Sequence, residues 1–196
     1  MSLLQKIGRG KRGLVYRIRW KNTHAVLKIP IPTSTAIKRI ENEAHWLKRL
    51  NAHGIGPTLL DFTTADGERR VMEHIHGEPF EDYVKKSSRR RLREVVLHLF
   101  QQCRTMDSLH VNKYEMHKPH KHILVRRHLP ILLDFERCTF TLKPKNVTQF
   151  AEYLVRLGFL CDRKPLLLAL KRYKRTYSDQ AYRAIISSFL CTSQKA

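Results

Sequence analysis

The feature that most constrains this chain is a glycine-rich turn near its start, followed by a lysine in the next apolar stretch. The residues that define the turn lie within 8–15: Gly8, Gly10, Gly13 and Val15. Glycine carries no side chain, so a turn built from it lets backbone N–H groups approach an anion such as a phosphate. Lys28 follows in the stretch Val-Leu-Lys-Ile. The turn alone also fits an ordinary flexible hairpin, so its interpretation depends on the rest of the chain.

Apolar residues in the first part of the chain follow two different periods. Residues 3–30 alternate in the way that is typical of half-buried strands, which predicts an antiparallel hairpin set. Between 35 and 50 the spacing becomes helical, with one apolar stripe: Ile37, Ile40, Ala44, Leu47 and Leu50. Further strands, at 58–62 and 70–74, flank an Asp-Gly turn at 66–67. This order indicates a small antiparallel sheet with a single helix packed against it.

The rest of the chain is predicted to be mostly helical, after a Gly-Glu-Pro break at 77–79. Helices are expected at 79–86, 90–110, 147–157, 164–175 and 178–190, with short strands at 123–125 and 131–133. Gly158 closes the third of these helices. The sequence therefore predicts an α+β fold in a single domain of residues 1–196, divided into an N-lobe of 1–75, a hinge at 72–79 and a C-lobe of 80–196.

The charge of the chain is strongly one-sided. It has 38 Lys and Arg against 17 Asp and Glu, which gives a formal net charge of +21. A field of this sign attracts polyanions, so RNA, DNA, an anionic membrane surface and ATP are all candidate partners. The positive charge is densest at 85–93 and 171–175. Each of these segments is also compatible with a solvated helix face.

The sequence also carries an expectation about location. No apolar run is long enough to span a bilayer, and the first residues lack the apolar stretch of a signal peptide, so a cytoplasmic location without a transmembrane segment is expected. The cysteines lie far apart without a Cys-x-x-Cys pair: Cys103, Cys138, Cys161 and Cys191. They are interpreted as reduced core thiols.

Two carboxylates stand where a phosphate site would need them. A lysine that contacts phosphates needs a carboxylate to hold it, and Glu43 is the candidate partner of Lys28 because it shares a helix face with Leu47. The alternative is that Glu43 is an ordinary surface charge. Asp134 directly follows the apolar run at 131–133, where a rigid strand would carry its carboxylate towards a Mg²⁺ ion. Asp134 is also compatible with a role as a turn cap.

Taken together, these residues resemble a eukaryotic-like protein kinase. The chain is more specifically similar to the minimal atypical kinases: the RIO-like group, the small tRNA-modification-associated kinases and the lipopolysaccharide-core sugar kinases. The similarity rests on the glycine turn, Lys28, Glu43, a hinge-like segment at 71–80 and Asp-Phe-Glu at 134–136. It implies a bilobal kinase-like fold that binds ATP with Mg²⁺ in the interlobe cleft.

The resemblance also implies a role for each residue of the nucleotide site. The glycine turn would cover the phosphates, Lys28 held by Glu43 would contact them, and the hinge backbone would contact the adenine. The residues concerned are Gly8, Gly10, Gly13, Val15, Lys28, Glu43, Glu73 and Ile75. Asp134 would hold the Mg²⁺ ion.

The loop before residue 122 departs from the family pattern. Lys113 stands where the family has His, Glu115 where it has the catalytic Asp, and His122 where it has a metal-binding Asn. Glu115 is therefore the candidate that orients the acceptor or takes its proton, Lys118 is the candidate contact to the transferred phosphate, and His122 is the candidate ligand of a second metal. Imidazole suits Mn²⁺ or Zn²⁺ better than Mg²⁺. The alternative is a separate transition-metal site formed by His117, His120 and His122.

The chain leaves room for only a short connection between Asp134 and the helix that begins near Val147. A long activation segment is therefore not expected, and neither is regulation by its phosphorylation. The leading hypothesis is a small ATP-dependent kinase of the serine/threonine type, with an acceptor that the sequence does not specify. One alternative is a kinase-fold pseudoenzyme that binds nucleotide and a polyanion such as RNA. Another is a sugar or lipopolysaccharide-core kinase.

Overall fold

The computed structural model of the chain describes residues 2–9, 13–31, 39–65, 69–159 and 163–190. The spatial contacts between its residues divide the chain into two compact units. The first unit comprises Met1–Gly77 together with Ile131–Cys138, and the second comprises Glu78–Pro130 and Thr139–Ala196. The segment 131–138 thus belongs with the N-terminal unit, although it lies inside the range 80–196 that was predicted as the C-lobe.

Within the described residues, the first unit is an antiparallel sheet with one helix. Its elements are β1 (Ser2–Arg9), β2 (Gly13–Trp20), β3 (Thr23–Pro30), α1 (Arg39–Asn51), β4 (Leu59–Thr63) and β5 (Arg69–Glu73). The strands lie in the order β1-β2-β3-β5-β4, and each neighbouring pair is antiparallel. The predicted turn at 66–67 lies outside the described residues.

Alternating side chains build the core of this unit. Ile18, Ala25, Leu27 and Val71 are buried, and Tyr16, Trp20 and Ile29 pack against them. The apolar stripe of α1 is buried as expected at four positions: Ile40, Ala44, Leu47 and Leu50. The fifth predicted member, Ile37, lies outside the described residues.

The second unit is mostly helical. Its helices are α2 (Phe80–Lys86), α3 (Arg89–Ser108), α4 (Asn146–Arg156), α5 (Arg163–Thr176) and α6 (Asp179–Leu190). Short strands join them: β6 (Glu78–Pro79), β7 (Val111–Asn112), β8 (Ile123–Arg126), β9 (Leu129–Leu132) and β10 (Thr139–Phe140). β6, β8 and β9 form one small sheet in that order, while β7 pairs with β10. β6, β7 and β10 have two residues each and were not predicted.

Helix α4 buries four of the five residues of the apolar stripe that its spacing predicts: Val147, Phe150, Ala151 and Leu154. The fifth, Leu157, lies one residue beyond the helix and is 37% exposed, and Gly158 follows in the left-handed region with φ +84°. The ring of Phe100 on α3 packs against Phe150 and against Phe189 of α6, with centroids 5.0 and 5.3 Å apart. The observed elements confirm the predicted α+β fold.

The described ranges also show where two cysteines lie and how apolar the helices are. Cys103 and Cys138 are free and buried, whereas Cys161 and Cys191 lie outside the described residues. Among the described helices, none combines the length and the apolar character that crossing a bilayer requires.

Candidate functional site

A row of directly opposed residues runs across the sheet of the first unit. Gly8 of β1 lies opposite Val15 of β2, which lies opposite Lys28 of β3, which in turn lies opposite Arg70 of β5. Directly opposed residues of antiparallel strands project to the same face. The strand register therefore brings two residues of the glycine turn, Lys28 and an unpredicted arginine to one face of the sheet.

Helix α1 supplies the anion that these two cations need. Glu43 Oε2 accepts from Lys28 Nζ at 2.9 Å and is also in contact with Nη1 of Arg70. Both Glu43 and Arg70 are buried. Lys28 and Arg70 are cross-strand neighbours of like charge, so a shared carboxylate between them removes a repulsion that would otherwise destabilise the sheet.

The electrostatics of this group favour the charged forms of Glu43 and Lys28. Burial alone would raise the pKa of Glu43, but Arg70 and Lys28 lower it from its ordinary value of 4.5 to about 2. Burial acts to lower the pKa of Lys28, and so does Arg70. The carboxylates of Glu43, Asp134 and Glu136 outweigh both effects and raise the pKa of this ammonium.

Helix α1 also holds the segment 134–138. The backbone N–H of Phe135 donates to Glu43 Oε1 at 3.2 Å. Asn42 Nδ2 donates to the carbonyl oxygens of Glu136 and Cys138 at 2.8 and 3.2 Å. Asp134 takes a left-handed backbone conformation, with φ +62°, which aspartate tolerates better than most residues. Adjacent residues of one helix thus fix the segment that carries Asp134.

The carboxylate of Glu136 lies beside the same lysine. Its Oε2 is 3.2 Å from Lys28 Nζ, and oxygens of Glu43, Asp134 and Glu136 lie within 4.8 Å of one another. Carboxylate oxygens are hard ligands of the kind that Mg²⁺ prefers. The donor set of Asp134 and Glu136 therefore fits a divalent cation next to the ammonium of Lys28.

The glycine turn leaves space next to Lys28. A Cβ added at Gly13 would lie 3.1 Å from the carbonyl oxygen of Ile29 and 3.4 Å from Cε of Lys28. The contact with the oxygen of Ile29 is tighter than most Cβ contacts in proteins, whereas the contact with Lys28 is an ordinary one, so a side chain at this position would crowd the backbone of β3 beside the lysine. A Cβ added at Gly8 would meet only Val15, at 3.7 Å, an ordinary contact. Gly10 lies outside the described residues. The environment of Gly13 fits a phosphate that approaches the backbone and Lys28 together.

The predicted hinge residues lie at the end of β5. The N–H of Glu73 donates to the carbonyl oxygen of Thr58 at 2.8 Å, and Glu73 Oε2 accepts from the Thr58 hydroxyl at 3.1 Å. Ile75 is buried. The side chain of Glu73 therefore joins the hinge to the start of β4, and its adenine contact remains a prediction.

The predicted catalytic loop lies in the second unit. Glu115 Oε2 and His122 Nε2 are 3.0 Å apart, so the structure brings these two residues together. Lys118 is exposed, and its N–H donates to the carbonyl oxygen of Glu115 at 3.0 Å. His117 instead contacts the carbonyl oxygen of Tyr114. Within the described ranges, no group that could hold a metal combines the three predicted loop histidines, His117, His120 and His122.

A buried network that the sequence did not predict supports this loop. Asn146, at the start of α4, accepts from the N–H of Lys113 at 2.8 Å and donates to Asp107 Oδ1 at 2.7 Å. The hydroxyl of Tyr173 donates to Asp107 Oδ2 at 3.0 Å and accepts from Arg104 at 3.1 Å. Burial raises the pKa of Asp107 even though these hydrogen bonds favour the carboxylate. The backbone of this loop is therefore held at Lys113 by the side chain of Asn146 at the start of α4.

The sequence reasoning missed three residues of the first-unit site, for different reasons. Arg70 was detectable, because the predicted strands could have been aligned to place it opposite Lys28. Glu136 was noted only as the last residue of the Asp-Phe-Glu segment at 134–136, and its contact with Lys28 depends on the turn after Asp134. Asn42 had no signal, since its partners are backbone carbonyls 94 and 96 positions away.

The fold and this site define a kinase-like phosphotransferase, with an antiparallel sheet and one helix that hold a lysine beside carboxylates. Comparison with protein families matches residues 4–127 to the phosphotransferase enzyme family (APH). The match covers more than half of the chain, and the protein belongs to this family. Comparison with curated proteins finds no match.

The family match supports a broader relationship than the similarity to minimal atypical kinases that the sequence suggests. It supports membership of the kinase-like superfamily, of which the phosphotransferase enzyme family is a part, and does not extend to the RIO-like group. Phosphotransferases of this family generally use ATP with Mg²⁺. The matched range includes Lys28, Glu43 and Glu115 but ends before Asp134, so the interpretation of Asp134 and Glu136 rests on their contacts.

Proposed function

We propose that this protein is an ATP-dependent kinase of the serine/threonine type, which uses Lys28, Glu43 and Asp134 to bind the nucleotide with its metal. The observation that carries the proposal is the position of the Lys28 ammonium, 2.9 Å from Glu43 and under the electrostatic influence of Asp134. A fixed ammonium beside hard oxygen ligands is what positions and neutralises a polyphosphate.

Each residue of the first unit has a separate task in this proposal. Lys28 donates to a non-transferred phosphate, and Glu43 keeps its ammonium in place. Gly13 lets the phosphates approach the backbone of β2, while Asp134 and Glu136 offer oxygens to the metal. A bound Mg²⁺ or Mn²⁺ would supply charge neutralisation on the phosphates.

The resemblance assigns the acceptor to residues of the second unit. Glu115 would hold the acceptor hydroxyl and take its proton as the oxygen bonds to the terminal phosphorus of ATP and ADP leaves. The 3.0 Å contact with His122 supports this role because it limits the orientations of a carboxylate that is one methylene longer than aspartate. His122 remains the proposed ligand of a second metal, and Lys118 the proposed contact to the transferred phosphate.

The acceptor itself has two candidate classes. A serine or threonine hydroxyl, on this protein or another, is the first. A sugar or other small-molecule hydroxyl is the second, and one observation favours it: the segment 131–138 is joined to α4, which begins at Asn146, by residues 139–145 alone, and these include the two-residue strand β10. So short a connection offers little surface for an extended peptide. The same observation supports the expectation that no activation-loop phosphorylation regulates the protein.

The experiment that tests the proposal uses purified protein, terminally labelled ATP, and Mg²⁺ or Mn²⁺. We expect autophosphorylation or ATP hydrolysis in the wild type, its loss in Lys28→Ala, and loss of metal-dependent nucleotide binding in Asp134→Ala. Lys48→Ala is the matched control, because Lys48 is an exposed lysine on α1. Turnover that survives in Lys28→Ala would contradict the proposal. Label on Ser or Thr indicates the first acceptor class, and label transferred only to added sugars indicates the second.

A polyanion-binding pseudoenzyme is the second candidate function. The observation in its favour is the charge of α5, which has no acidic residue and carries six exposed cations: Arg163, Lys164, Lys171, Arg172, Lys174 and Arg175. RNA binding by such a surface should weaken steeply with salt. RNA affinity that fades between low and physiological salt, together with no turnover in the labelled-ATP assay, would favour this function over the first.

A further inference from the structure

The ammonium of Lys28 contacts two carboxylates that are held in different ways. Glu43 is 2.9 Å away, its side chain is 3% exposed, and it is fixed by Arg70 and by the N–H of Phe135. Glu136 is 3.2 Å away, and its side chain is 13% exposed. Glu43 therefore belongs to the framework of the site, whereas Glu136 is the partner that can be exchanged.

The backbone of Glu136 does not need to move for this exchange. Its carbonyl oxygen accepts from Asn42 Nδ2 at 2.8 Å, and Asn42 in turn accepts from Trp46 Nε1 at 3.0 Å. These bonds fix the chain at residue 136. Glu136 can release Lys28 by rotation about its side-chain bonds, without a rearrangement of this backbone.

The charges of the site oppose the binding of a nucleotide beside Glu136 when no divalent cation is bound. Among the residues that the structure describes, two cations, Lys28 and Arg70, face the three carboxylates of Glu43, Asp134 and Glu136. A polyphosphate that approaches Lys28 would meet the carboxylate of Glu136 on the same ammonium. In a largely buried site this like-charge contact is weakly screened and therefore costly.

We propose that Glu136 occupies, in the nucleotide-free protein, the place on Lys28 that a nucleotide phosphate takes, and that a divalent cation draws it away. Oxygens of Glu136 and Asp134 already lie within 4.8 Å of each other, so a cation bound by Asp134 offers Glu136 a new partner close by. Metal and nucleotide then bind in an obligatory combination, because Glu136 leaves Lys28 for the metal, to which it offers the oxygen proposed above. This inference rests on the proposed nucleotide site at Lys28.

The test measures the affinity of a fluorescent ATP analogue in excess EDTA and in excess Mg²⁺. We expect the wild type to bind at least about tenfold more weakly without the metal. In Glu136→Gln, which keeps the size of the side chain and removes its charge, binding in EDTA should tighten by about tenfold and close most of that gap. Glu41→Gln removes the same charge from an exposed position on α1 and should bind like the wild type.

Further variants separate the possible outcomes. Glu136→Asp keeps the charge and should keep the metal dependence, and urea unfolding of each variant shows whether it is folded. The inference is overturned if Glu136→Gln binds no tighter than the wild type in EDTA, or if Glu41→Gln tightens equally. Metal-independent binding that Lys28→Ala abolishes would also overturn it, while leaving the proposed nucleotide site intact. Absence of nucleotide binding under every condition would instead overturn the proposed function, and this inference with it.

Discussion

Replacing Glu43 with glutamine removes the carboxylate that Lys28 and Arg70 share, and the structure allows the cost to be worked out. The pKa of Glu43 falls from its ordinary value of 4.5 to about 2 on folding, which corresponds to about 3 kcal/mol of stability at neutral pH. Removal of one partner from a buried ion pair typically costs about 3–5 kcal/mol. The two approaches agree, so Glu43→Gln should lower the free energy of unfolding by about 3 kcal/mol.

The pH dependence of the free energy of unfolding gives a second test of the charge on Glu43. Because the folded state lowers the pKa of Glu43, the stability that its charge contributes is fully present above pH 4.5 and is lost as the pH falls towards 2. At about pH 3.5 the wild type should already have lost about 1 kcal/mol of this contribution. Glutamine does not titrate, so the difference in the free energy of unfolding between wild type and variant should be smaller at about pH 3.5 than at neutral pH by about 1 kcal/mol.

Urea unfolding followed by tryptophan fluorescence is the appropriate assay. The two tryptophans of the sequence, Trp20 and Trp46, both lie in the first unit and report on it selectively. Glu41→Gln is the control, because it removes an exposed carboxylate from the same helix. A loss below about 1 kcal/mol at neutral pH, or a gap that stays constant down to about pH 3.5, would show that Glu43 is not held as an ion in the way described here.

Two further substitutions test how the site is supported. Gly56→Ala should destabilise the first unit by about 1–3 kcal/mol in urea unfolding, because its Cβ would lie 2.8 Å from a ring carbon of Phe135 at φ +83°. Gly54→Ala is the control with a similar φ of +68° and no neighbour within 4 Å, so equal losses would refute the packing argument. Asn146→Ala should accelerate hydrogen exchange at the N–H of Lys113, which loses its acceptor. Unchanged exchange there would mean that the loop is held by other contacts.

The elements that the sequence predicted correctly depend on local spacing. The stripe of α4 is an example, since Phe150 and Ala151 lie three and four positions after Val147, and four and three before Leu154, so all four share one helix face wherever the helix is placed. The alternation along β2 is another. Such patterns are set by the geometry of a single element, so they can be read without knowing what packs against it.

Contacts that depend on more than one element could not be read in the same way. Arg70 resembles a solvated strand residue in the sequence and becomes buried only because β5 pairs with β3 in one particular register. Asp107, Asn146 and Tyr173 come from three different helices, and each looks like an ordinary helix residue until α3, α4 and α5 are assembled. The pair of Lys28 and Glu43 could be predicted from the sequence. It required only a strand that carries the lysine, a helix face that carries the glutamate, and the need of a phosphate-binding lysine for a carboxylate partner.

Stability and the proposed nucleotide chemistry share one network in the first unit. Glu43 contacts Lys28 and Arg70 of the sheet and the backbone of Phe135, so it joins the sheet, α1 and the segment that carries Asp134. Removal of Lys28 takes away one of the two cations that contact Glu43 and the ammonium that contacts Glu136, so it disturbs the carboxylates at the proposed metal site as well as the proposed phosphate contact. Loss of turnover in Lys28→Ala is therefore evidence for a phosphate contact only when the variant unfolds at a similar urea concentration to the wild type. Glu136→Gln avoids this ambiguity. It removes the charge of the exchangeable partner of Lys28 and leaves the ion pair of Lys28 with Glu43 in place.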